Sequence, residues 1–470
     1  MKKTLAVILS LILCASCLFG CDRDVDKTKK TQPDSDDTVV TVWNGEGGAK
    51  TVWEELTDNY NSTTGDEKNV FIRWETVMDG TAIDVAQQSG QLPEIVDASG
   101  SRLIKFQANG DLAAIDDLPG GKEFLKEYDF AGLEGKNVFD GKTYTLYRNA
   151  KTTGLAYNKD LFKKAGIVDK NGEAKAPETI SEVREAAKKI TALGGGVYGF
   201  ALPLKFGTDW TVINTTKNSF DLDVPASVID LDSLTVTYNG HKERFQWLLD
   251  MKVDGTLFPG AETLDNDTAR AYFSSGIIGM IPTVSWDVGV YTTQYPAECD
   301  WDICRFPILD GHEFTENHTS LGGGLAISKN ALRNDKIAEA TMEAYKFIYS
   351  LETRAALFEE GVEVSCKTDV LEAVDRSKLD PRLIKFAEFV PAKVSLYPSE
   401  KYTIEGENWD TLFQKVWMGD ITLDAAIKDF EKRSTAGLRK AVNDGSYDIV
   451  RQKETDAQKR ADFEAKKTAK

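Results

Sequence analysis

Apolar and polar residues alternate along the first part of the chain in segments typical of an α/β protein. Residues 39–43 (VVTVW) are rich in β-branched side chains and predict a strand. The segments that follow predict a helix and two more strands: Trp53, Leu56 and Tyr60 at helical spacing, NVFIRWE at 69–75 and EIVD at 94–97. Since strands that alternate with helices form βαβ units, we expect a parallel sheet.

Two later segments predict amphipathic helices. One opens at Pro177, and the other covers residues 337–351. The apolar face of the second helix contains Ile337, Ala340, Ala344, Phe347 and Leu351. About 430 residues follow the N-terminal region, which is too many for one hydrophobic core, so we expect two domains.

The N-terminus predicts an exported lipoprotein. Two lysines precede an uncharged apolar stretch, Leu5 to Phe19, which is typical of a secretory signal and short for a membrane span. The stretch ends in LFGC (18–21), which resembles a bacterial lipobox. It implies removal of residues 1–20 and a lipid anchor on Cys21. An ordinary signal peptide cut elsewhere is the alternative.

The two ends of the mature chain are polar. Residues 21–38 contain too few apolar side chains to form a core and predict a disordered tether. Residues 451–470 predict a charged tail, either a solvated helix end or a frayed terminus.

The charge balance argues against polyanionic partners. The net charge of −18 becomes −20 without residues 1–20, because that segment holds two lysines and no acid. Such a chain repels nucleic acid and anionic lipid, so we expect no nucleic-acid partner and membrane contact through the anchor alone.

The cysteines after Cys21 do not form a disulfide framework, since only three are present. Cys299 and Cys304 are near enough in sequence to pair in an oxidising compartment. Three unpaired, buried cysteines are the other interpretation.

The glycine cluster after the first strand fails the tests for a nucleotide site. A G-x-G-x-x-G motif starting at Gly45 would need glycine where Lys50 stands, and a P-loop ending at Gly141-Lys142-Thr143 would need glycine at Lys136. The segment DGHEFTENH (310–318) predicts a polar surface hairpin rather than a metal site. We therefore expect no cofactor and no metal.

Tryptophans beside polar residues suggest a saccharide site. An indole matches the apolar C–H face of a sugar ring, and carboxylates or amides match its hydroxyls. The pairs are Trp43-Asn44, Asp209-Trp210, Trp286-Asp287 and Asn408-Trp409. Core packing is the alternative for each of them, and it is the one we expect for Trp53, Trp74 and Trp247.

Four ordered segments resemble the extracellular solute-binding proteins of family 1, the sugar-capturing lipoproteins of ABC importers. The segments are DGKTY (140–144) with GLAYNKDLFKKAG (154–166), AYFSSG (271–276) with Ser285-Trp286, FP (306–307) leading to GGGLAIS (322–328), and WMGDITLDAAI (417–427). They span most of the mature chain.

The resemblance implies a type II periplasmic-binding fold, with two α/β lobes joined by hinge strands and a ligand cleft between them. The N-terminal lobe would hold 39–150 and 325–365, and the C-terminal lobe 151–324 and 366–450. Crossings are expected near 150–155, 320–325 and 363–368, with closure by hinge motion.

The resemblance places Asn44 and Glu46 at the cleft end of the first strand as hydrogen-bonding groups. It gives Trp286 a stacking role and places Lys151 at the first crossing, where a relative has an acid. Together with the tryptophan pairs, it predicts ligand contacts at Trp43, Asn44, Glu46, Ser99, Ser101, Lys151, Asp209, Trp210, Trp286, Asp287 and Trp409.

The function that follows is binding without catalysis. We expect a monomer, anchored on the outer face of the bacterial membrane, that passes a carbohydrate, in the form of an oligosaccharide, to an ABC permease. A non-sugar ligand such as a polyamine or a phosphodiester is the first alternative. A secreted glycan-active enzyme is the second, and it would need two carboxylates about 5–10 Å apart.

Overall fold

The computed structural model describes residues 29–77, 79–98, 100–128, 132, 135–205, 229–312, 319–390 and 402–450, and scattered positions from 452 to 465. The predicted signal segment, Cys21, Ser99, Asp209 and Trp210 lie outside these residues. For Ser101 the structure describes the backbone and not the side chain.

Strands β1 to β15 follow one another along the described chain. They are Thr38–Asn44, Val70–Thr76, Ile95–Asp97, Leu112–Ala113, Val138–Phe139, Lys142–Thr143, Thr145–Leu146, Asn149–Asn158, Tyr198–Phe200, Ile229–Asp230, Thr235–Val236, Ile278–Val284, Trp301–Cys304, Thr319–Gly322 and Leu325–Ser328.

The helices fall mostly between the strands, as the hydrophobic pattern predicts. In the described residues the α-helices are Lys50–Asn61, Thr64–Lys68, Gly80–Gln88, Ser101–Ala108, Gly121–Tyr128, Lys159–Lys164, Ile180–Thr191, Asn239–Val253, Asn266–Ser274, Asp287–Gly289, Asp335–Tyr349, Leu351–Glu359, Val370–Ala373, Pro381–Phe389, Trp409–Met418 and Leu423–Asn443. No described helix combines the length and the apolar character needed to cross a membrane.

The chain forms two compact units. The first contains residues up to Leu146 together with Leu325–Ile348. Its sheet has the order β2-β1-β3-β15-β4, with β7 also paired to β15. Strands β2 and β3 both run parallel to β1, which confirms the predicted βαβ arrangement. Helices Gly80–Gln88 and Ser101–Ala108 contribute Ile83, Leu103 and Phe106 to the core of this unit.

The second unit contains Tyr147–Gly324 and the chain from Tyr349 onward. Its sheet has the order β13-β8-β12-β9, with β14 also paired to β8. Helix Ile180–Thr191 buries Val183, Ala187 and Ile190 in the core, to which the two C-terminal helices also contribute. The long strand β8 is the common partner of β12, β13 and β14.

The family-like segments at 140–144 and 154–166 have structural roles. Asp140 (φ 53°) and Gly141 (φ 73°) form the two-residue turn between β5 and β6, and positive φ at both central residues is what a type I′ hairpin requires. Asn158 caps helix Lys159–Lys164 by accepting from the Leu161 N–H, and Gly166 follows with φ 70°. These motifs therefore specify a hairpin and a capped helix.

The chain passes between the units after residues 146, 324 and 348. The predicted lobe boundaries at 150 and 365 differ from these positions. The difference is largest for the third passage because helix Leu351–Glu359 is tied into the second unit by an ion pair of 2.6 Å between Arg354 Nη1 and Asp369 Oδ1.

A buried ion pair joins the chain segments next to these passages. The Arg148 guanidinium donates from Nε to Glu363 Oε2 at 2.9 Å and from Nη2 to Glu363 Oε1 at 2.6 Å. The two side chains are only 1 % and 6 % exposed. Around the pair, Tyr349 Oη donates to the Gly323 carbonyl (3.0 Å) and the Cys366 N–H donates to the Arg148 carbonyl (3.1 Å). We call the segments 147–152, 319–324, 349 and 363–366 the junction.

Gly323 is required by the geometry of the junction. Its φ is 66°, and a Cβ there would lie 3.1 Å from carbon atoms of the Arg148 side chain and 3.0 Å from Asn149 Nδ2. A side chain at this position would therefore strain the backbone and press on the Arg148 guanidinium.

The predicted tether is too long. The Lys30 N–H donates to Ser62 Oγ at 2.7 Å, and its ammonium pairs with Asp37 at 2.9 Å and with Asp66 at 2.7 Å. Strand β1 then begins at Thr38. Residues 30–38 are therefore held on the first unit, and the prediction of disorder is wrong for them.

The three described cysteines are free, which agrees with the interpretation of unpaired cysteines and not with a pair between Cys299 and Cys304. Cys366 is buried and its thiol donates to the Tyr147 carbonyl, while Cys299 and Cys304 are half-buried. Burial raises the pKa of the Cys299 thiol to about 11, which keeps it protonated at neutral pH.

We expect Glu363→Gln to lower the free energy of unfolding by about 3–5 kcal/mol, because it leaves the Arg148 guanidinium buried without its counter-charge. Urea unfolding of the mature chain measures the loss. The matched control is Glu388→Gln, whose partner Arg376 lies 3.7 Å away in an exposed pair. The control should change the free energy by less than about 1 kcal/mol. Equal effects of the two variants would contradict the role of the junction.

Candidate functional site

In the first unit, the candidate side chains lie at the carboxyl ends of parallel strands, where ligands bind in open α/β sheets. Asn44 is the last residue of β1 and is 2 % exposed. Its Oδ1 accepts from the Glu46 N–H at 2.9 Å, and its Nδ2 donates to Glu46 Oε2 at 3.3 Å. Asn44 therefore positions the half-buried Glu46 rather than facing solvent itself, which corrects its predicted role as a direct contact.

Trp43 is half-buried, and its Nε1 donates to Glu75 Oε2 at 2.8 Å. This hydrogen bond joins the side chains of adjacent residues on β1 and β2. The indole is thereby held in one orientation.

Two charged residues at this end of the sheet complete the first face. A Cβ on Gly45 would lie 2.7 Å from Asp97 Oδ2, so only glycine lets the turn after β1 pass so close to the carboxylate at the end of β3. The Arg102 guanidinium likewise lies 2.6 Å from the Cβ position of Gly80, at the first turn of helix Gly80–Gln88. The sequence did not lead us to predict Asp97 as a site residue, although its position at the end of a predicted strand could have indicated it. We call Glu46, Asp97 and Arg102 the first face.

In the second unit, the candidate side chains lie where β8, β12 and β14 meet. Lys151 is exposed on β8 opposite Ser320 of β14. Trp286 follows the end of β12 and is 36 % exposed. Between them, the Ser285 N–H donates to the Thr152 carbonyl at 3.0 Å. We call Lys151, Trp286 and Ser320 the second face.

Asp287 is not available to a ligand, contrary to its prediction as a contact. It is 1 % exposed and accepts from Arg270 Nη2 (2.6 Å), Thr283 Oγ1 (2.9 Å) and the Val284 N–H (3.0 Å). Burial raises the pKa of Asp287, and the Arg270 guanidinium opposes that shift. The carboxylate therefore anchors the turn that presents Trp286.

Trp409 is a core residue, which also corrects its prediction as a contact. It is 5 % exposed and stacks on Tyr238, with the ring centroids 5.0 Å apart. It opens helix Trp409–Met418, which Asn408 caps by accepting from the Thr411 N–H. The polar neighbour that suggested a binding site is thus a helix cap. The predicted core positions of Trp53 and Trp247 are confirmed by exposures of 0 % and 6 %.

The titratable groups of the described chain do not gather into a metal site. No group of three or more His, Cys, Asp or Glu side chains among the described residues has the geometry to hold a metal ion. The first face instead offers two carboxylates and a guanidinium, and the second face offers one ammonium with a hydroxyl and an indole, which suits hydrogen bonding and stacking with an organic ligand.

Comparison with protein families gives one match that covers most of the chain. The family described as bacterial extracellular solute-binding protein matches residues 44–354.

Curated relatives are named for one small organophosphate. The sn-glycerol-3-phosphate-binding periplasmic protein UgpB of Brucella abortus is 27% identical over 338 residues, which cover 69% of this chain and 73% of that protein. The protein of the same name from Rhizobium meliloti is 26% identical over 68% of this chain and 73% of its own length.

Solved structures with the same fold are described as saccharide-binding proteins or their receptors. Apo RafE from Streptococcus pneumoniae superposes with a TM-score of 0.63 at 17% identity, covering 87% of this chain and all (100%) of that one. The maltose/maltodextrin-binding domain MalE from Bdellovibrio bacteriovorus, bound to maltotriose, gives 0.59 at 16% identity over 86% of this chain and 100% of the other. These structures confirm the predicted fold class.

We expect Trp286→Ala and Trp409→Ala to separate a surface role from a core role. Removing a buried tryptophan costs about 3–5 kcal/mol of stability, so Trp409→Ala should lower the unfolding midpoint strongly. Trp286→Ala should change stability by less than about 1 kcal/mol, since its ring is more than a third exposed. Thermal unfolding of both variants beside the parent chain measures this, and a larger loss for Trp286→Ala would overturn the assignment.

Proposed function

Because the chain belongs to the bacterial extracellular solute-binding proteins, we propose that it captures a carbohydrate outside the cytoplasm and delivers it to an ABC permease. The proposed ligand is an oligosaccharide. The protein acts by binding and release and performs no chemical step on it.

The observation that carries this proposal is the exposed indole of Trp286, at the start of the turn that the buried Asp287 carboxylate anchors to β12. An aromatic face stacks on the C–H face of a sugar ring, and a turn that is already anchored needs little further ordering on binding. The carboxylates of Glu46 and Asp97 and the guanidinium of Arg102 are suited to the ring hydroxyls, since charged groups make the stronger hydrogen bonds. The saccharides named with the similar structures agree with this ligand class.

A phosphorylated polyol is the second candidate, and two observations favour it. The relatives named for sn-glycerol 3-phosphate share more sequence with this chain than do the similar structures. Arg102 also brings a guanidinium to the first turn of a helix, where the backbone dipole favours anions. Glycerol phosphate offers no ring for Trp286 to stack on, so the two candidates predict different roles for that residue.

A ligand screen by thermal shift tests the proposal on the soluble chain that starts at Asp22, which keeps the segment packed on Ser62. A neutral oligosaccharide panel, glycerol 3-phosphate and spermidine are compared. A ligand at 100 times its Kd should add about 2.7 kcal/mol of stability. We expect a shift with a carbohydrate and at least about tenfold weaker binding in Trp286→Ala, a change of about 1.4 kcal/mol.

The other outcomes have defined meanings. A shift with glycerol 3-phosphate alone, unchanged in Trp286→Ala, would replace the carbohydrate with the second candidate. A shift with spermidine alone would overturn both. Shortened oligosaccharides after prolonged incubation would contradict a pure binding role.

We also propose that a lipid on Cys21 anchors the protein at the outer face of the membrane, with residues 22–29 as the tether. The order of residues 30–38 on the first unit supports a tether shorter than the sequence predicted. In a cell that makes the full chain, Cys21→Ala should move the protein from the membrane fraction to the soluble or secreted fraction. A substitution that leaves it in the membrane fraction would contradict the anchor.

A further inference from the structure

Lys151 departs from the burial pattern of its strand. In β8 it is exposed, while the other residues from Asn149 to Asn158 are buried. The central strand of a sheet carries a charged side chain at low cost only where that side chain reaches solvent. The position therefore faces a solvent-open part of the second unit.

The side chain of Lys151 rests on β14. Its Cε lies 2.9 Å from the Cβ position of Gly322, so a larger residue at 322 would displace the lysine stem. The absence of a side chain at Gly322 thus leaves space for the aliphatic part of Lys151, and the ammonium extends beyond it.

The Lys151 ammonium is paired with no acid in the part of the chain that the structure describes. None of the ion pairs or side-chain hydrogen bonds of the described residues involves it, although the sequence has 75 acids against 57 lysines and arginines. In a chain with this excess of negative charge, a lysine that pairs with none of the described acids is a point of positive potential in a negative field.

The indole of the second face belongs to Trp286, which follows the end of the neighbouring strand β12. The antiparallel register pairs Val284 with Thr153, and the Ser285 N–H bonds the Thr152 carbonyl. Trp286 comes next, in helical conformation (φ −74°, ψ −13°) at the start of the turn Asp287–Gly289, so it leaves β12 one residue beyond the hydrogen bond between Ser285 and Thr152. Ser320 thus pairs with Lys151 across the two strands, and the indole follows the residue that is hydrogen-bonded to Thr152, the next position of β8.

We propose that Lys151 selects a saccharide that carries a negative charge, either a uronic acid carboxylate or a sugar phosphate. This inference rests on the proposed carbohydrate function and narrows it. Trp286 takes the apolar face of the ring, Ser320 a hydroxyl, and the Lys151 ammonium pairs with the anionic group. A charge-assisted hydrogen bond is about twice as strong as a neutral one, so the charge of the ligand decides between otherwise similar sugars.

Matched ligand pairs test the selection by titration calorimetry on the soluble chain that starts at Asp22. One pair is a galacturonic acid oligosaccharide and its methyl ester, and the other is a hexose phosphate and its parent sugar. We expect the acidic member of at least one pair to bind about tenfold tighter at low salt, which corresponds to about 1.4 kcal/mol. The ratio should fall as salt is raised. The pair that shows it identifies the carboxylate or the phosphate as the anionic group.

Lys151→Met should reduce the ratio of acidic to neutral affinity toward one. The matched control is Lys164→Met, which removes the same charge from an exposed position on helix Lys159–Lys164. That helix begins beyond the far end of β8, about 23 Å from Lys151 at the rise of an extended strand. The control should retain the parent ratio.

The failure of this inference differs from the failure of the proposed function. If neutral sugars bind as well as acidic ones, or if Lys151→Met keeps the parent ratio, the charge selection is wrong and the carbohydrate function stands. If neither member of any pair binds, and no neutral oligosaccharide binds, the carbohydrate function and the inference fall together.

Discussion

The ion pair between Arg148 and Glu363 is the constraint on which the arrangement of the second unit depends. A guanidinium and a carboxylate that are almost fully buried stabilise the fold only if each satisfies the other, and here two direct hydrogen bonds do so. The pair holds the start of β8 against the chain at 363–366, and the Tyr349 hydroxyl and the Gly323 carbonyl close the group. Lys151 follows Arg148 by three residues, so the junction also sets the place of the second face.

A second buried charge, the Asp287 carboxylate, stabilises the turn after β12 that carries Trp286 of the second face. Asp287 is hidden, and its three hydrogen bonds are used to hold the turn after β12. The consequence is that Trp286, one residue earlier, is presented to solvent on a rigid support. A turn that is ordered before it meets a ligand loses less conformational entropy on binding than a mobile one. The buried carboxylate of Asp287 therefore supports the turn that exposes the Trp286 indole.

The segments that reveal the family are different from those that would recognise a ligand. Asp140-Gly141 makes a hairpin turn, and Asn158 with Gly166 begins and ends a helix, so these residues serve the fold. The proposed ligand-binding residues lie elsewhere, since Glu46, Asp97, Arg102 and Trp286 are close to strand ends and Lys151 is in the part of β8 that belongs to the junction.

The sequence by itself determined the local structure and the family. The strands at Thr38–Asn44, Val70–Thr76 and Ile95–Asp97 and the helix at Asp335–Tyr349 follow from hydrophobic periodicity, because side-chain spacing within one element is a local property. Only the tertiary structure decided which polar and aromatic residues are exposed. Trp286 and Trp409 both stand next to a polar residue in the sequence, but one is open to solvent and the other stacks on Tyr238 in the core. Asp287 resembles any surface acid until Arg270, seventeen positions away, is seen to pair with it. Burial depends on contacts between residues distant in the chain, and a one-dimensional pattern contains no record of those contacts.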